Sequence, residues 1–303
     1  MPNFEGGFEV TTAIPQYLTL IPYLIMAAHE SLHEYYLHQH RNIEHYLELC
    51  SSHPEAELVH ELRLCIKRLR AFHKLAEQLY SDGMIEHIHM KHRVRQLYKV
   101  AGQLRDTQVQ IHMITSLEEQ TGIKYPEFGN WLLRREKKRI KRFGKKPKQV
   151  VPHTTNQCTH EKIGRLLALA DDETILDNAG KVLSGLYSKA QELAGGNSND
   201  QDLHQLRRIT KQMRYIISIM THSYPDYTYN AISVKSLREI EVAAGDWHDN
   251  LVRIVLLGKF MEKKKFIADS LEFKYKELFN SCKSELDTAY NIAYGIVRNT
   301  LLQ

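Results

Sequence analysis

The chain has 303 residues and a formal net charge of +5, and is 43% hydrophobic and 25% charged, enough to bury a sizeable core in one large domain or two smaller ones. Cys50, Cys65, Cys158 and Cys282 stand far apart with no C-x-x-C pair and no zinc-finger spacing, so they read as buried or free thiols in a reducing compartment. The excess of 41 Lys plus Arg over 36 Asp plus Glu is mild; the placement of the cations carries more meaning than their number.

The apolar stretch from Ala13 to Ala28 has no basic residue before it, follows Glu5 and Glu9, and is broken by Pro15 and Pro22. It reads as neither a signal peptide nor a membrane span, so a cytosolic protein with no membrane partner is expected. Residues 1–21 are read as an N-terminal extension. Helical periodicity then predicts a long helix from Pro22 to about Cys50 and, after Ser51, Ser52 and Pro54, a second to about Tyr80. Ser81-Asp82-Gly83 turns the chain into a third helix from about Met84 to Glu119. Thr121-Gly122 stops it, and Pro126 opens a fourth that ends near Gly144. Lys145 to Thr159, with Pro147 and Pro152, reads as a linker. A short helix (about Glu161 to Ala170) and four long ones follow: about Glu173 to Ala194, Asp200 to His222, Val234 to Glu262 and Ser270 to Leu301. Strand signal is almost absent, so the fold class is all-α.

The second helix carries His60, Arg63, Lys67 and Arg70, spaced H-x-x-R-x-x-x-K-x-x-R. His204, Arg207, Lys211 and Arg214 repeat the pattern 144 residues later. At about 100° per residue, all four positions fall within roughly 80° of arc. The opposite face is apolar in both copies: Leu62, Ile66, Leu69 and Ala76 in one, Leu206, Ile209, Met213 and Ile217 in the other. Each helix can seat one side in a core and hold cations outward. The next helix repeats too. Arg95, Leu97, Ala101, Gly102, Asp106 and Val109 align with Arg238, Ile240, Ala244, Gly245, Asp249 and Val252. The unit is therefore four helices used twice, about 22–147 and 160–303, within one domain spanning 22–303. Two four-helix bundles packed about a pseudo-twofold axis are the expected architecture.

These residues resemble the CHAD family, the conserved histidine α-helical domain. The likeness covers nearly the whole chain from Pro22 onward. It rests on the two H-x-x-R-x-x-x-K-x-x-R helices, each followed by a G-x-x-x-D-x-x-V segment such as Gly102 to Val109. The resemblance implies a paired four-helix fold that binds inorganic polyphosphate, with no catalytic activity and no cofactor. Some family members are fused to a strand-rich triphosphate-processing domain. No alternating strand pattern occurs here, so a stand-alone protein is expected, cytoplasmic and able to associate with polyphosphate granules. Two departures, His248 in place of Arg105 and Gln212 in place of Arg68, make the second half the less cationic side.

A flexible polyanion without base edges needs many cations along one groove. Beyond the two stripes, the candidate phosphate ligands are Lys91, Arg95, Lys99 and Arg105 on the third helix, with Lys235 and Arg238 in the second half. The fourth helix is the most basic, and Arg135, Arg139 and Arg142 are its candidates. A solvated basic face, or non-specific nucleic-acid binding, also fits that helix, although no aromatic platform is interleaved with it. Two roles stay open to His60 and His204: phosphate ligand, or hydrogen-bond partner that fixes helix register. Asp106 and Asp249 read as ion-pair partners that orient Arg or Lys. With 17 histidines, among them His29, His33, His38, His40, His87, His89 and His92, a divalent-metal bundle is the alternative function. No E-x-x-H di-metal pattern, Walker loop or nucleophile motif accompanies them, so no metal site and no enzyme is expected.

Overall fold

The computed structural model describes residues 28–79, 92–145, 157–196, 199–263 and 269–302, and every regular element among them is an α-helix. In chain order these are α1 (Ala28–Ser52), α2 (Ala56–Leu79), α3 (His92–Thr121), α4 (Pro126–Phe143), α5 (Gln157–Leu169), α6 (Asp172–Gly195), α7 (Asp200–Ser223), α8 (Val234–Lys263) and α9 (Asp269–Leu301). The expected helix starts at Pro22 and Met84 lie outside the described residues, as do Lys91, His87 and His89. The short helix α5 begins earlier than Glu161, at Gln157.

The helix ends follow local chemistry. Asp171 caps α6 by accepting the Thr174 N–H at 2.8 Å, and Asn199 caps α7 by accepting that of Asp202 at 2.9 Å. Pro126 occupies the first turn of α4, where its missing N–H matters least. Gly122 closes α3 with φ 71°, a left-handed conformation that side chains disfavour.

Consecutive helices pack as α1 on α2, α2 on α3 and α3 on α4; the second half repeats this order as α6 on α7, α7 on α8 and α8 on α9. The halves meet where α2 packs on α7, with α2 also touching α6 and α1 touching α7. They also share their cores. The larger core joins Leu32, Tyr36 and Phe72 to Ile216, Ile240 and Trp247. A smaller one joins Phe128 and Leu132 of α4 to Phe260 of α8 and Tyr275 of α9. Polar contacts cross the same boundary. Gln110 donates to the Asp249 carbonyl at 2.9 Å, and the Tyr275 hydroxyl donates to Glu127 at 2.9 Å while accepting the Phe128 N–H at 3.1 Å. Among the described residues no helix is long and apolar enough to cross a membrane.

Candidate functional site

The apolar sides of α2 and α7 are buried as their patterns require: Leu62, Ile66, Leu69 and Ala76 on one, Leu206, Met213 and Ile217 on the other. Ile209 differs; it is half-buried and borders a cavity. With those sides turned inward and the helices packed together, their polar stripes face one another. Between them lies an open cavity of about 1100 Å³. Its cations are Arg63, Lys67, Arg70 and Lys74 from α2, Lys99 from α3, and Arg207, Arg208 and Lys211 from α7. Against these eight stand two carboxylates, Glu77 and Asp106. Tyr98, Tyr215, His73, His204, His248, Gln205 and Gln212 complete the polar wall. Five of the cations come from the first half and three from the second.

Arg63 is held by three features of α3. Its Nη1 donates to the Tyr98 carbonyl at 3.0 Å, and its guanidinium lies 4.5 Å from the centre of the Tyr98 ring. Gly102 makes room for it: a Cβ there would sit 2.2 Å from Nη1. The guanidinium of Arg70 stacks on the same ring at 5.5 Å. Arg207, the counterpart of Arg63, has no such grip among the described residues. Among the described residues, a Cβ on Gly245 meets nothing within 4 Å, and Nε of Arg207 is buried without a hydrogen-bond partner.

Crowding of like charge shows in the basicity of these groups. Burial pushes Lys67 down to about 7, and the nearby charges of Lys211, Arg63 and Arg207 act in the same direction. Lys211 is pushed down to about 8 by burial and by Arg207. Burial lowers Arg207 as well, partly opposed by Asp249. Burial, with the charges of Arg207, His204 and Lys211, pushes His248 down to about 3, so this histidine is neutral near pH 7. Burial raises both Asp106 and Asp249; Arg63 opposes this most at Asp106, and Arg207 at Asp249. The cavity therefore holds more positive charge than its own carboxylates balance, in a setting of reduced dielectric.

The predicted site residues divide into two groups. Arg63, Lys67, Arg70, Lys99, His204, Arg207 and Lys211 meet in the cavity wall. The others do not. Arg214 is turned away by a two-pronged ion pair with Glu241, at 2.7 and 3.0 Å, and lies 4.7 Å from the Tyr215 ring. Arg105 donates to the Ala56 carbonyl at 3.2 Å, fastening α3 to the start of α2. His60 is half-buried close to Arg105, and burial lowers its basicity first, then that arginine's charge. His204 has the matching neighbour in its own half, with its ring 5.5 Å from that of His248, and it does reach the wall. Arg95, Lys235 and Arg238 are exposed outside the wall, in the first turns of α3 and α8. Arg135, Arg139 and Arg142 lie on α4, outside the wall; Arg139 donates to Gln103 of α3. Lys91 lies outside the described residues.

Some wall residues escaped the sequence reading. Lys74 continues the α2 stripe one turn past Arg70, and Arg208 lies one turn beyond His204, so the helical period contained both. Tyr98, Tyr215 and His73 had no such signal, because their place depends on which helices meet. Among the described residues, no group of three or more His, Cys, Asp or Glu could hold a metal ion.

A family model described as the CHAD domain matches residues 34–258. The fold is similar to the crystal structure of the CHAD domain from the plant Ricinus communis, at 15% identity and a TM-score of 0.63, over 88% of this chain and 92% of that one. It is also similar to PptA from Streptomyces chartreusis, at 15% identity and a TM-score of 0.58, over 90% of this chain and 99% of that one. No curated protein matches the sequence. With the match spanning most of the chain and the duplicated cationic helices meeting at one cavity, the chain belongs to the CHAD domain family.

Proposed function

We propose that this chain binds inorganic polyphosphate in the cavity between α2 and α7 and catalyses no reaction on it. The observation that supports this most is the meeting of Arg63 and Lys67 with Arg207 and Lys211 on one cavity, where burial and mutual repulsion depress both lysines. Such an arrangement weakens the free protein and is relieved by a ligand dense in negative charge. Polyphosphate carries about one charge per unit along a flexible chain and suits a wall with many cations and few fixed acceptors. Membership of the CHAD family favours the same ligand.

The test is a titration of the wild-type protein and a Lys67→Glu, Lys211→Glu double variant with long-chain polyphosphate, orthophosphate and duplex DNA. The wild type is expected to prefer polyphosphate, with affinity falling steeply as salt rises and unaffected by a chelator. The variant is expected to keep its helical circular dichroism and lose binding. Binding that survives in a folded variant overturns the cavity assignment, and equal affinity for DNA overturns the choice of ligand. Polyphosphate recovered after incubation is expected to keep its length; shortened chains overturn the non-catalytic reading.

A further inference from the structure

The strongest charge concentration outside the cavity is on α4. Arg134, Lys138, Lys141 and Arg142 are all exposed and form no ion pair among the described residues. At about 100° and 1.5 Å per residue they make one outer row about 12 Å long. The opposite side of the helix is buried through Phe128, Leu132 and Phe143, so the row faces solvent by construction.

The row is joined to the cavity. Arg139, on the flank of α4, donates to Gln103, one turn before Asp106 on α3, and its charge acts directly on Asp106 in the cavity wall. Arg135 and Arg142 both lie close enough to repel Arg139, adding to the effect of burial on it. Arg135 in turn stacks on Trp131 at 5.3 Å, with its Nε buried and lacking a hydrogen-bond partner among the described residues. A helix that merely needed solubility would intersperse acids among these cations; between Phe128 and Lys145 the sequence has only Glu136. Repulsion of this kind is retained where an anion offsets it.

We propose that α4 is an exit track: a long polyphosphate chain leaves the cavity past Asp106, crosses Arg139 and continues along Arg142, Lys141, Lys138 and Arg134. The proposal rests on the cavity being the polyphosphate site. Under it the protein has two ligand zones, a cavity that serves any chain and a track that serves only chains long enough to emerge. Chain-length preference is then set by α4.

The experiment compares wild type with an Arg134→Gln, Lys138→Gln, Lys141→Gln triple variant, using polyphosphate of about eight and about one hundred units across a salt series. The three side chains are exposed, so folding is preserved, and circular dichroism verifies it. For short chains, the variant is expected to match wild type within about twofold, while long chains lose about tenfold or more and the salt slope falls by about two to three units. A variant that binds long chains, and duplex DNA, as tightly as wild type overturns the track and leaves α4 a solvated face. Equal losses for short and long chains overturn it too, since the row then acts at a distance on the whole site. If duplex DNA binding falls in the variant and neither polyphosphate length is affected, α4 serves nucleic acid instead. A wild-type protein that binds neither length refutes the cavity reading itself, an outcome distinct from all of these.

Discussion

Lys67 and Lys211 occupy the same place in the two copies of the cationic helix, and both line a single cavity in which the charge of Lys211 bears on Lys67. After burial, the charge of Lys211 is the largest influence on Lys67. Two lysines that a linear reading places on separate helices thus share one electrostatic problem.

Proton uptake on binding follows from that pairing. In the free protein Lys67 sits at about 7 and Lys211 at about 8. A bound polyanion replaces repulsion with attraction and raises both. Near pH 8 the complex then holds more protons than its parts, so affinity is expected to rise as pH falls from about 9 to about 7 and to flatten below. Calorimetry at pH 8 in buffers of different ionisation enthalpy reads the uptake directly. Heats independent of buffer would show that neither lysine faces the ligand.

The same depression sets the pH profile of stability without ligand. Both folded values lie below the ordinary lysine value of 10.5, so from about pH 7 upward the unfolded chain binds more protons than the folded one. Stability is expected to rise with pH from neutrality towards the range where tyrosine ionises. There the trend reverses, because burial holds Tyr35 up at about 12 and the unfolded chain loses its proton first. On the acid side, His248 at about 3 makes stability fall as pH drops below the usual histidine range. Urea melts across this range check all three limbs. Lys67→Met is expected to flatten the alkaline rise and stabilise the free protein at pH 7 while weakening polyphosphate binding.

Gly102 and Gly245 are equivalent in sequence and opposite in surroundings. Gly102→Ala drives a methyl into the Arg63 guanidinium, which is the movable end of a flexible side chain. The helix is expected to survive, with Arg63 displaced from the Tyr98 carbonyl and polyphosphate affinity reduced about threefold to tenfold. Gly245→Ala meets open space and is expected to stabilise the protein by about 0.5–1 kcal/mol with affinity unchanged. Melting and titration of the two variants side by side give the contrast; matching behaviour would contradict the placement of Arg63.

Arg207 and Arg214 stand two turns apart on α7 and should respond oppositely. Arg207→Met is expected to lower affinity about tenfold or more, with little loss of stability, since its Nε has no hydrogen-bond partner among the described residues. Arg214→Met breaks the ion pair with Glu241 and is expected to cost about 1–3 kcal/mol of stability while affinity changes less than about twofold. A large affinity loss for Arg214→Met in a stable protein would return that residue to the site.

Much of the architecture was legible beforehand because its causes are local. The predicted ends of α6, α7, α8 and α9 fall within a residue of those observed, since a 3.6-residue period, an aspartate or asparagine cap and a flanking proline act over a few residues. Arg63, Lys67, Arg207 and Lys211 could be named for a related reason: a helix buries its apolar side and so dictates where its cations point. The repetition of the pattern separated them from an ordinary solvated face.

Tertiary structure decided how the two stripes are used. Arg214 belongs to the stripe by period, yet Glu241, 27 residues away, claims it at 2.7 Å. Arg105 is claimed by the Ala56 carbonyl 49 residues away. Tyr98 enters the cavity because α3 packs on α2, and Ile209 borders it because of where α7 meets its neighbours. The sequence by itself determined nine helices among the described residues and which side of each is cationic, because period and capping are properties of neighbouring residues. Only the packing decided which of those cations share a cavity and which are neutralised, because ion pairing, desolvation and repulsion depend on distances between residues far apart in the chain.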